Sequence, residues 1–249
     1  MKYIGIIGMG VIGQKYYNII NEGKVFNASV GGICKSSTGK NDSSYRIWEF
    51  KDYRSLIDIG RYDAIIVTTP HASHYEIGKY SLLAGLPTLI DKPMAMNRTQ
   101  YSELIKLGAV TCFNSRMEGK ITANSSVFWS VNWYKPTSYY VGWRKDYDSI
   151  LWNQSIHNLD LLQWSFGNPH IIKHESDKHN VKCTMQFGDI GVEYIASTNN
   201  KTLPTKLIID GVECKNRKTG NHQSLLQQFV DGTLERPSIN TFDLIRSLA

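Results

Sequence analysis

The chain has 249 residues, of which 41% are hydrophobic and 20% are charged, a composition typical of globular proteins and not of disordered chains. Its formal net charge of +6 suits an anionic small ligand, but no basic run of five residues occurs, so nucleic acid is not an expected partner. No apolar run approaches the roughly 18 residues of a membrane span. The four cysteines are scattered without a C-x-x-C pair. These features predict a cytoplasmic protein with reduced thiols, no metal site and no membrane partner.

Strands and helices alternate through the first half of the chain. The apolar and turn patterns predict strands at Lys2 to Ile7, Phe26 to Cys34, Tyr45 to Phe50, Asp63 to Thr69, Thr88 to Ile90 and Ala109 to Phe113. They predict helices at Val11 to Asn21, Asp52 to Ile59, Ser73 to Ala84 and Arg98 to Leu107. This order predicts an α/β, Rossmann-like, doubly wound parallel sheet.

The pattern changes in the second half. Alternating apolar residues over 181–187, a turn at 188–191 and an Asp210-Gly211 hairpin signal predict a mainly antiparallel sheet. One helix, Asn153 to Phe166, is predicted within this half. The sequence therefore predicts a dinucleotide-binding domain at residues 1–117. It predicts an α+β domain for substrate binding and oligomerisation at residues 118–249.

The first chemical motif is the glycine-rich segment Gly8 to Gly13, which reads G-M-G-V-I-G. It follows a predicted strand and opens a predicted helix, which is the context that dinucleotide binding requires. Gly8 allows a tight turn, Gly10 lets the backbone approach a pyrophosphate, and Gly13 permits close helix packing. The alternative is a glycine-rich turn that holds no ligand.

The end of the second predicted strand suggests which dinucleotide binds. An NAD site places Asp or Glu there to hold the ribose 2′-hydroxyl, but this chain has Lys35, Ser36 and Ser37. A cation and two hydroxyls can bind a 2′-phosphate. NADP is therefore favoured over NAD, with a solvated polar turn as the alternative.

Two further segments follow predicted strands of the same sheet. The first is Thr69-Pro70-His71-Ala72-Ser73-His74, and the second is Asp91-Lys92-Pro93. Both leave the carboxyl ends of their strands, where doubly wound sheets bind ligands. On chemistry alone, Lys92 could equally be a surface lysine.

The order of these motifs resembles the glucose–fructose oxidoreductase / inositol dehydrogenase (Gfo/Idh/MocA) family. The resemblance rests on G-x-G-x-x-G, T-P-x-x-x-H, A-G-x-x and (D/E)-K-P, and it continues through later segments. These are Phe113-Asn114-Ser115-Arg116, Gly142-Trp143-Arg144, the run from Asn153 to Asp160, and the closing segment His222 to Leu248.

The resemblance implies an NAD(P)-dependent oxidoreductase acting on a CH–OH group of a sugar or nucleotide sugar. In that family the lysine of E-K-P and a helix-borne D-x-x-x-H pair act at the nicotinamide, which implies catalytic roles for Lys92, His157 and Asn153. It also implies a cis Lys92–Pro93 bond. The residues implied to contact the dinucleotide are Gly8, Met9, Gly10, Val11, Ile12, Gly13, Lys35, Ser36, Ser37, Thr69, Pro70, His71, His74, Asp91 and Lys92.

The predicted helix supports this chemistry from its own spacing. Asn153, His157 and Asp160 lie on one helical face, and an imidazole titrating near neutrality can accept a hydroxyl proton. Asp160 could orient that imidazole, while Lys92 could stabilise the developing oxyanion. The alternative is a packing helix whose histidine lies at a domain interface. The substrate-binding candidates are Arg116, Arg144, Asn153 and Asp160.

This sequence departs from the family pattern at three places. Asp91 replaces a glutamate, Asn153 replaces an aspartate, and the residues from Asp148 to Trp152 replace a Gly-Gly run. Members acting on nucleotide-linked N-acetyl sugars are similar in having asparagine, which favours such a substrate. The bulkier loop leaves open a non-catalytic NAD(P)-binding sensor or regulatory protein. A homodimer or homotetramer through the C-terminal sheet is expected.

Overall fold

The structure is a computed structural model that describes residues 1–35, 47–142, 144–215 and 221–249. The contacts divide the chain into two compact units. The first contains residues 1–112 and 222–237, and the second contains residues 113–221 and 238–249. The predicted boundary lies between residues 117 and 118, five residues after this division, and the prediction did not include the segment 222–237 that returns to the first unit.

The first unit contains a six-stranded parallel sheet. Its strands are β1 (Lys2–Ile7), β2 (Ala28–Cys34), β3 (Trp48–Phe50), β4 (Ala64–Val67), β5 (Thr88–Ile90) and β6 (Val110–Thr111). Their order across the sheet is β3-β2-β1-β4-β5-β6, which is the order of a dinucleotide-binding fold. The chain order therefore reverses between β1 and β4, the position at which such sheets bind ligands. The predicted doubly wound sheet is confirmed.

Four helices connect these strands in the described part of the first unit, and side chains cap the N-termini of two of them. They are α1 (Val11–Asn21), α2 (Tyr53–Asp58), α3 (His74–Leu83) and α4 (Arg98–Leu107). Asp52 accepts a hydrogen bond from the Ser55 amide at the start of α2, and Asn97 caps α4 in the same way. Gly108 ends α4 at φ 95°, where a glycine avoids the strain that a side chain would bring.

The second unit contains a six-stranded mixed sheet. Its strands are β7 (Ser126–Asn132), β8 (His170–Ser176), β9 (Asn180–Phe187), β10 (Ile190–Ser197), β11 (Lys206–Ile209) and β12 (Val212–Cys214). Their order is β12-β11-β7-β10-β9-β8. Only the β7–β10 pair is parallel among the described pairs of this sheet, so the prediction of a mainly antiparallel sheet is confirmed.

One face of this second sheet packs against helices. Ahead of residue 221, the described α-helices of the second unit are the short α5 (Arg144–Tyr147) and the longer α6 (Ile156–Phe166). Leu159 and Leu162 of α6 join Trp129, Met185 and Tyr194 of the sheet in one buried apolar cluster. Burial of large apolar side chains at about 25 cal/mol per Å² is what holds the helix on the sheet.

A π-helical turn, Leu151–Ser155, precedes α6. The predicted helix over 153–166 is therefore interrupted at its start, because a π turn widens the spacing of successive side chains. Asn153 lies in this turn and His157 lies in the regular helix that follows.

The last two helices of the sequence belong to different units. The helix α7 (His222–Asp231) belongs to the first unit, and α8 (Ile239–Leu248) belongs to the second. In the first unit the Tyr16 ring of α1 lies 5.4 Å from the His222 ring of α7. Among the described residues, no helix combines the length and hydropathy that crossing a bilayer demands.

Candidate functional site

The turn between β1 and α1 depends on three glycines for three different reasons. Gly8 has φ +100°, and a Cβ there would lie 2.7 Å from the Thr68 carbonyl carbon. A Cβ on Gly13 would lie 1.9 Å from the Gly8 oxygen, whereas a Cβ on Gly10 would meet nothing within 4 Å. The first and third glycines are thus required for packing. Gly10 faces open space, as a backbone that must approach a ligand would.

The amino end of α1 is suited to an anion. Its N-cap is Gly10, and no side chain caps it. The exposed Val11 and half-buried Ile12 follow directly. Helix N-terminal amides carry partial positive charge and bind phosphate, so the residues of this turn fit a dinucleotide pyrophosphate.

The segment after β4 is fastened by a buried histidine. His74 is fully buried, and its Nε2 lies 2.7 Å from the Thr69 oxygen while its Nδ1 lies 2.8 Å from the Pro93 oxygen. It therefore joins the Thr69-Pro70 segment to the segment after β5. His71 is also buried, with its ring 5.6 Å from that of His74.

The segment after β5 contains a buried carboxylate. The Asp91 carboxylate accepts hydrogen bonds from the Lys92 amide at 2.9 Å and from the Cys112 thiol at 2.5 Å. Burial opposes its ionisation, but the charges of Lys92 and His74 and these hydrogen bonds prevail and hold the pKa of Asp91 below its ordinary value. Burial, with Asp91 beside it, raises the pKa of the Cys112 thiol.

This arrangement fixes the backbone that carries Lys92. The Asp91 carboxylate holds the lysine's amide, and His74 holds the carbonyl of the following residue. The Lys92–Pro93 peptide bond is cis, which confirms the prediction. Cys112 was not among the predicted site residues, because it directly follows β6, 21 positions further along the chain than Asp91.

The end of β2 presents a charged pair. The Lys35 ammonium lies 2.8 Å from the Glu49 carboxylate, and their side chains are 11% and 34% exposed. Glu49 belongs to β3 and was not among the predicted site residues. The other two predicted contacts here, Ser36 and Ser37, lie outside the described residues.

In the second unit, two predicted substrate contacts bind each other. The Arg116 Nε and Asp160 Oδ2 are 2.7 Å apart, and a second nitrogen of Arg116 lies 2.7 Å from Asp160 Oδ1. Both side chains are buried, and the Thr241 hydroxyl also donates to Asp160. The charged ends of Arg116 and Asp160 therefore neutralise each other inside the unit, and their assignment to substrate stays a prediction.

The predicted base His157 lies on α6. Its backbone oxygen accepts a hydrogen bond from the Ser115 hydroxyl at 2.8 Å, and its side chain is half-buried. Asp160 lies on the same helix but is occupied by Arg116 and Thr241. The orientation of the imidazole by Asp160 stays a prediction.

Asn153 belongs to a polar cluster that replaces the family's glycine run. Its side-chain nitrogen donates to the Asp148 carboxylate at 2.6 Å and to the Tyr139 hydroxyl at 2.7 Å. The Arg144 guanidinium stacks 4.7 Å from the Tyr139 ring centre, and its Nε lies 3.8 Å from Asp148. Asp148 thus brings a buried carboxylate beside Asn153. Sequence reasoning missed this role because the carboxylate is five positions from the motif.

A metal site is not apparent in the described parts of the chain. No three His, Cys, Asp or Glu side chains there are grouped as a metal ion would require.

Comparison with known proteins connects this geometry to a family. Residues 2–110 match the family model described as "Oxidoreductase family, NAD-binding Rossmann fold", the Gfo/Idh/MocA family. An inositol 2-dehydrogenase/D-chiro-inositol 3-dehydrogenase of Lactiplantibacillus plantarum is 27% identical over 107 residues, 41% of this chain. That alignment spans 30% of the relative's length.

Solved structures show the same fold over both units. The WlbA dehydrogenase of Thermus thermophilus, solved with NAD and UDP-GlcNAcA, superposes with a TM-score of 0.81 at 18% sequence identity. The superposition includes 99% of this chain and 93% of the WlbA chain. The UDP-N-acetylglucosamine 3-dehydrogenase GnnA of Acidithiobacillus ferrooxidans has a TM-score of 0.77 at 16% sequence identity. That superposition includes 99% of this chain and 96% of the GnnA chain. The match over residues 2–110 agrees with the motif order, since this part of the chain is similar to the Gfo/Idh/MocA oxidoreductases. The solved structures show that the fold of both units is shared with known dehydrogenases.

Proposed function

We propose that this protein is a nicotinamide-dependent dehydrogenase or reductase acting on a CH–OH group of a sugar, and that the sugar is linked to a nucleotide. The observation that carries the proposal is the glycine turn at the β1/β4 position of the sheet. There Gly10 faces open space at the uncapped end of α1. Nucleotide sugars are favoured because similar folds belong to dehydrogenases that bind or act on UDP-linked sugars.

The proposed chemistry assigns a role to each group of candidate residues. Residues of the β1–α1 turn would hold the pyrophosphate, and the segments after β4 and β5 would flank the nicotinamide, which accepts or donates the hydride. Lys92 would stabilise negative charge developing on the substrate oxygen. His157 would exchange the hydroxyl proton as general acid or base, with Asn153 orienting the substrate.

The fixed backbone around Lys92 supports its assignment. Asp91 and His74 hold the peptide groups on its two sides, so the start of its side chain has a set direction. A catalytic group that is held in place before substrate arrives lowers the entropic part of the barrier.

The test is turnover with each dinucleotide and a panel of sugars and nucleotide sugars, followed by absorbance of the reduced nicotinamide. Lys92→Ala and His157→Ala should each lower kcat by roughly 10²–10⁴-fold with little change in dinucleotide affinity. Lys120→Ala is the matched control, since it removes a lysine that lies beside the Trp164 ring. Unchanged turnover in either variant would refute the role assigned to that residue.

A second outcome would support the alternative function. Dinucleotide binding without turnover of any sugar would favour a sensor or regulatory protein. The observation behind this alternative is that the amide of Asn153 is engaged by Asp148 and Tyr139.

We also propose that the protein assembles through the face of the second sheet that turns away from α6. Phe128, Ile195 and Ile208 lie on that face and are partly exposed. Light scattering should give two or four times the 28.3 kDa of one chain, and Ile195→Glu should reduce it to one. A monomeric wild-type protein at micromolar concentration would contradict this.

A further inference from the structure

The charged pair at the end of β2 lies where a dinucleotide-binding sheet meets the adenosine ribose. Lys35 directly follows β2, and its backbone amide donates to the Phe50 oxygen of β3 at 3.1 Å. In the parallel β2–β3 pair, Ile33 lies opposite Glu49 and Cys34 lies opposite Phe50. Glu49 is therefore at the carboxyl edge of the sheet, beside the strand end that conventionally supplies the ribose-binding residue.

The pair changes the charge that this edge offers to a ligand. An unpaired lysine would attract a 2′-phosphate, which carries about −1.5 to −2 at neutral pH. Here the Lys35 ammonium lies 2.8 Å from the Glu49 carboxylate, so the two side chains together contribute no net charge. A 2′-phosphate close enough to bind Lys35 would also be close to a carboxylate, and like charges placed together are unfavourable.

The same carboxylate suits the unphosphorylated ribose. A carboxylate is an acceptor only, and a ribose 2′-hydroxyl can donate to it. Glu49 thus offers from β3 the kind of group that an NAD site usually takes from the end of β2. The Lys35 side chain, only 11% exposed, holds that carboxylate in place.

We propose that Glu49, held by Lys35, makes this site select NAD over NADP. This inference rests on the proposed function, because it presumes that a nicotinamide dinucleotide binds the first unit. It replaces the preference for NADP that Lys35 indicates when it is considered without Glu49.

The experiment measures dissociation constants of NAD and NADP by calorimetry with the full-length protein, which requires no substrate. The wild type should bind NAD more tightly than NADP by about 10-fold or more. Glu49→Gln removes the charge but keeps the size of the side chain, and it should shift this ratio about 10-fold toward NADP. Lys35→Gln should weaken NADP further while NAD still binds.

Glu22→Gln is the matched control. Glu22 forms a 2.6 Å pair with Lys24 on the surface of the same unit, at the carboxyl end of α1. It should leave the ratio unchanged.

A wild type that prefers NADP, or a Glu49→Gln ratio within 2-fold of the wild-type ratio while NAD still binds, would overturn the inference alone. Failure of the wild type to bind either dinucleotide would overturn the proposed function and this inference with it.

Discussion

Buried carboxylates in both units accept hydrogen bonds from partners that lie far away in the sequence. Arg116 and Asp160 are 44 positions apart, and Asp91 and Cys112 are 21 apart. Each carboxylate is also held by a second donor, the Thr241 hydroxyl or the Lys92 amide. Such pairs are expensive to desolvate, and they persist only where several hydrogen bonds satisfy them.

The Arg116–Asp160 pair gives a prediction about stability. Asp160→Asn leaves the buried guanidinium without its counter-charge, and it should lower the free energy of unfolding by about 3–5 kcal/mol. Urea denaturation followed by circular dichroism measures the change.

The control for that variant breaks an exposed ion pair of the same unit. Lys182 and Glu193 are 3.7 Å apart on the sheet, with side chains 60% and 43% exposed. Glu193→Gln should cost less than about 1 kcal/mol. If Asp160→Asn costs no more than Glu193→Gln, the buried pair does not stabilise the unit as argued.

At the scale of elements, different glycines of the turn between β1 and α1 serve packing and ligand binding. Gly10 and Gly13 are three positions apart in one motif, but only Gly13 has backbone atoms where a side chain would go. Gly10 has φ −75°, a value that any residue adopts without strain.

These surroundings predict opposite results for two alanine variants. Gly13→Ala should destabilise the first unit by several kcal/mol, because its methyl group would overlap the Gly8 carbonyl. Gly10→Ala should keep the thermal midpoint within a few degrees of the wild type. It should weaken dinucleotide binding by about 10-fold or more, because a methyl group would separate the backbone from the pyrophosphate. Calorimetric melting measures the stability of each variant, and a dinucleotide titration measures its affinity. A Gly10→Ala protein that binds as tightly as the wild type would exclude the turn as the phosphate site.

Comparison of the predicted and observed helices and strands shows which of them the sequence could predict. The strand–helix alternation of the first unit follows from apolar runs and capping residues, so β1, β4, α1 and α4 were predicted within one or two residues. The strand β8 was missed because nearly all of its residues are exposed, and it has no apolar alternation to recognise. The π turn before α6 was also missed, since spacing alone does not distinguish it from a regular helix.

In the candidate site, too, the sequence predicted the features that have a local pattern and missed those that do not. Local motifs identified the glycine turn and the segments after β4 and β5, because each motif lies within a few residues. The pairings of Glu49 with Lys35 and of Arg116 with Asp160 depend on which elements become neighbours. No local pattern contains that information.

At the scale of the whole molecule, the chain leaves the first unit at residue 112 and returns to it at residue 222. The returning helix α7 buries Leu225, Leu226 and Phe229, and Gln227 accepts a hydrogen bond from the Phe26 amide at 2.6 Å. The first unit is therefore completed only after residues 113–221 of the second have been synthesised, and its stability depends on how well α7 packs.

His222, the first residue of α7, makes that stability depend on pH. Burial, with Lys15 nearby, lowers the pKa of His222 from 6.5 to about 4, although the charge of Asp91 acts in the opposite direction. Between pH 6.5 and 4 the unfolded chain binds a proton that the folded chain does not, so the free energy of unfolding falls as the pH falls through this range. The loss should be about 2 kcal/mol after allowance for solvent screening.

The measurement is urea unfolding at pH 7.5 and pH 5.0, compared between wild type, His222→Gln and His170→Gln. His222→Gln should lose markedly less stability between the two pH values than the wild type, because glutamine does not titrate. His170→Gln should lose as much as the wild type, because His170 is exposed on β8 and folding leaves it in contact with water. If His222→Gln and wild type lose the same free energy of unfolding, the proton responsible is taken up elsewhere, and the packing of α7 on α1 does not depend on a neutral imidazole.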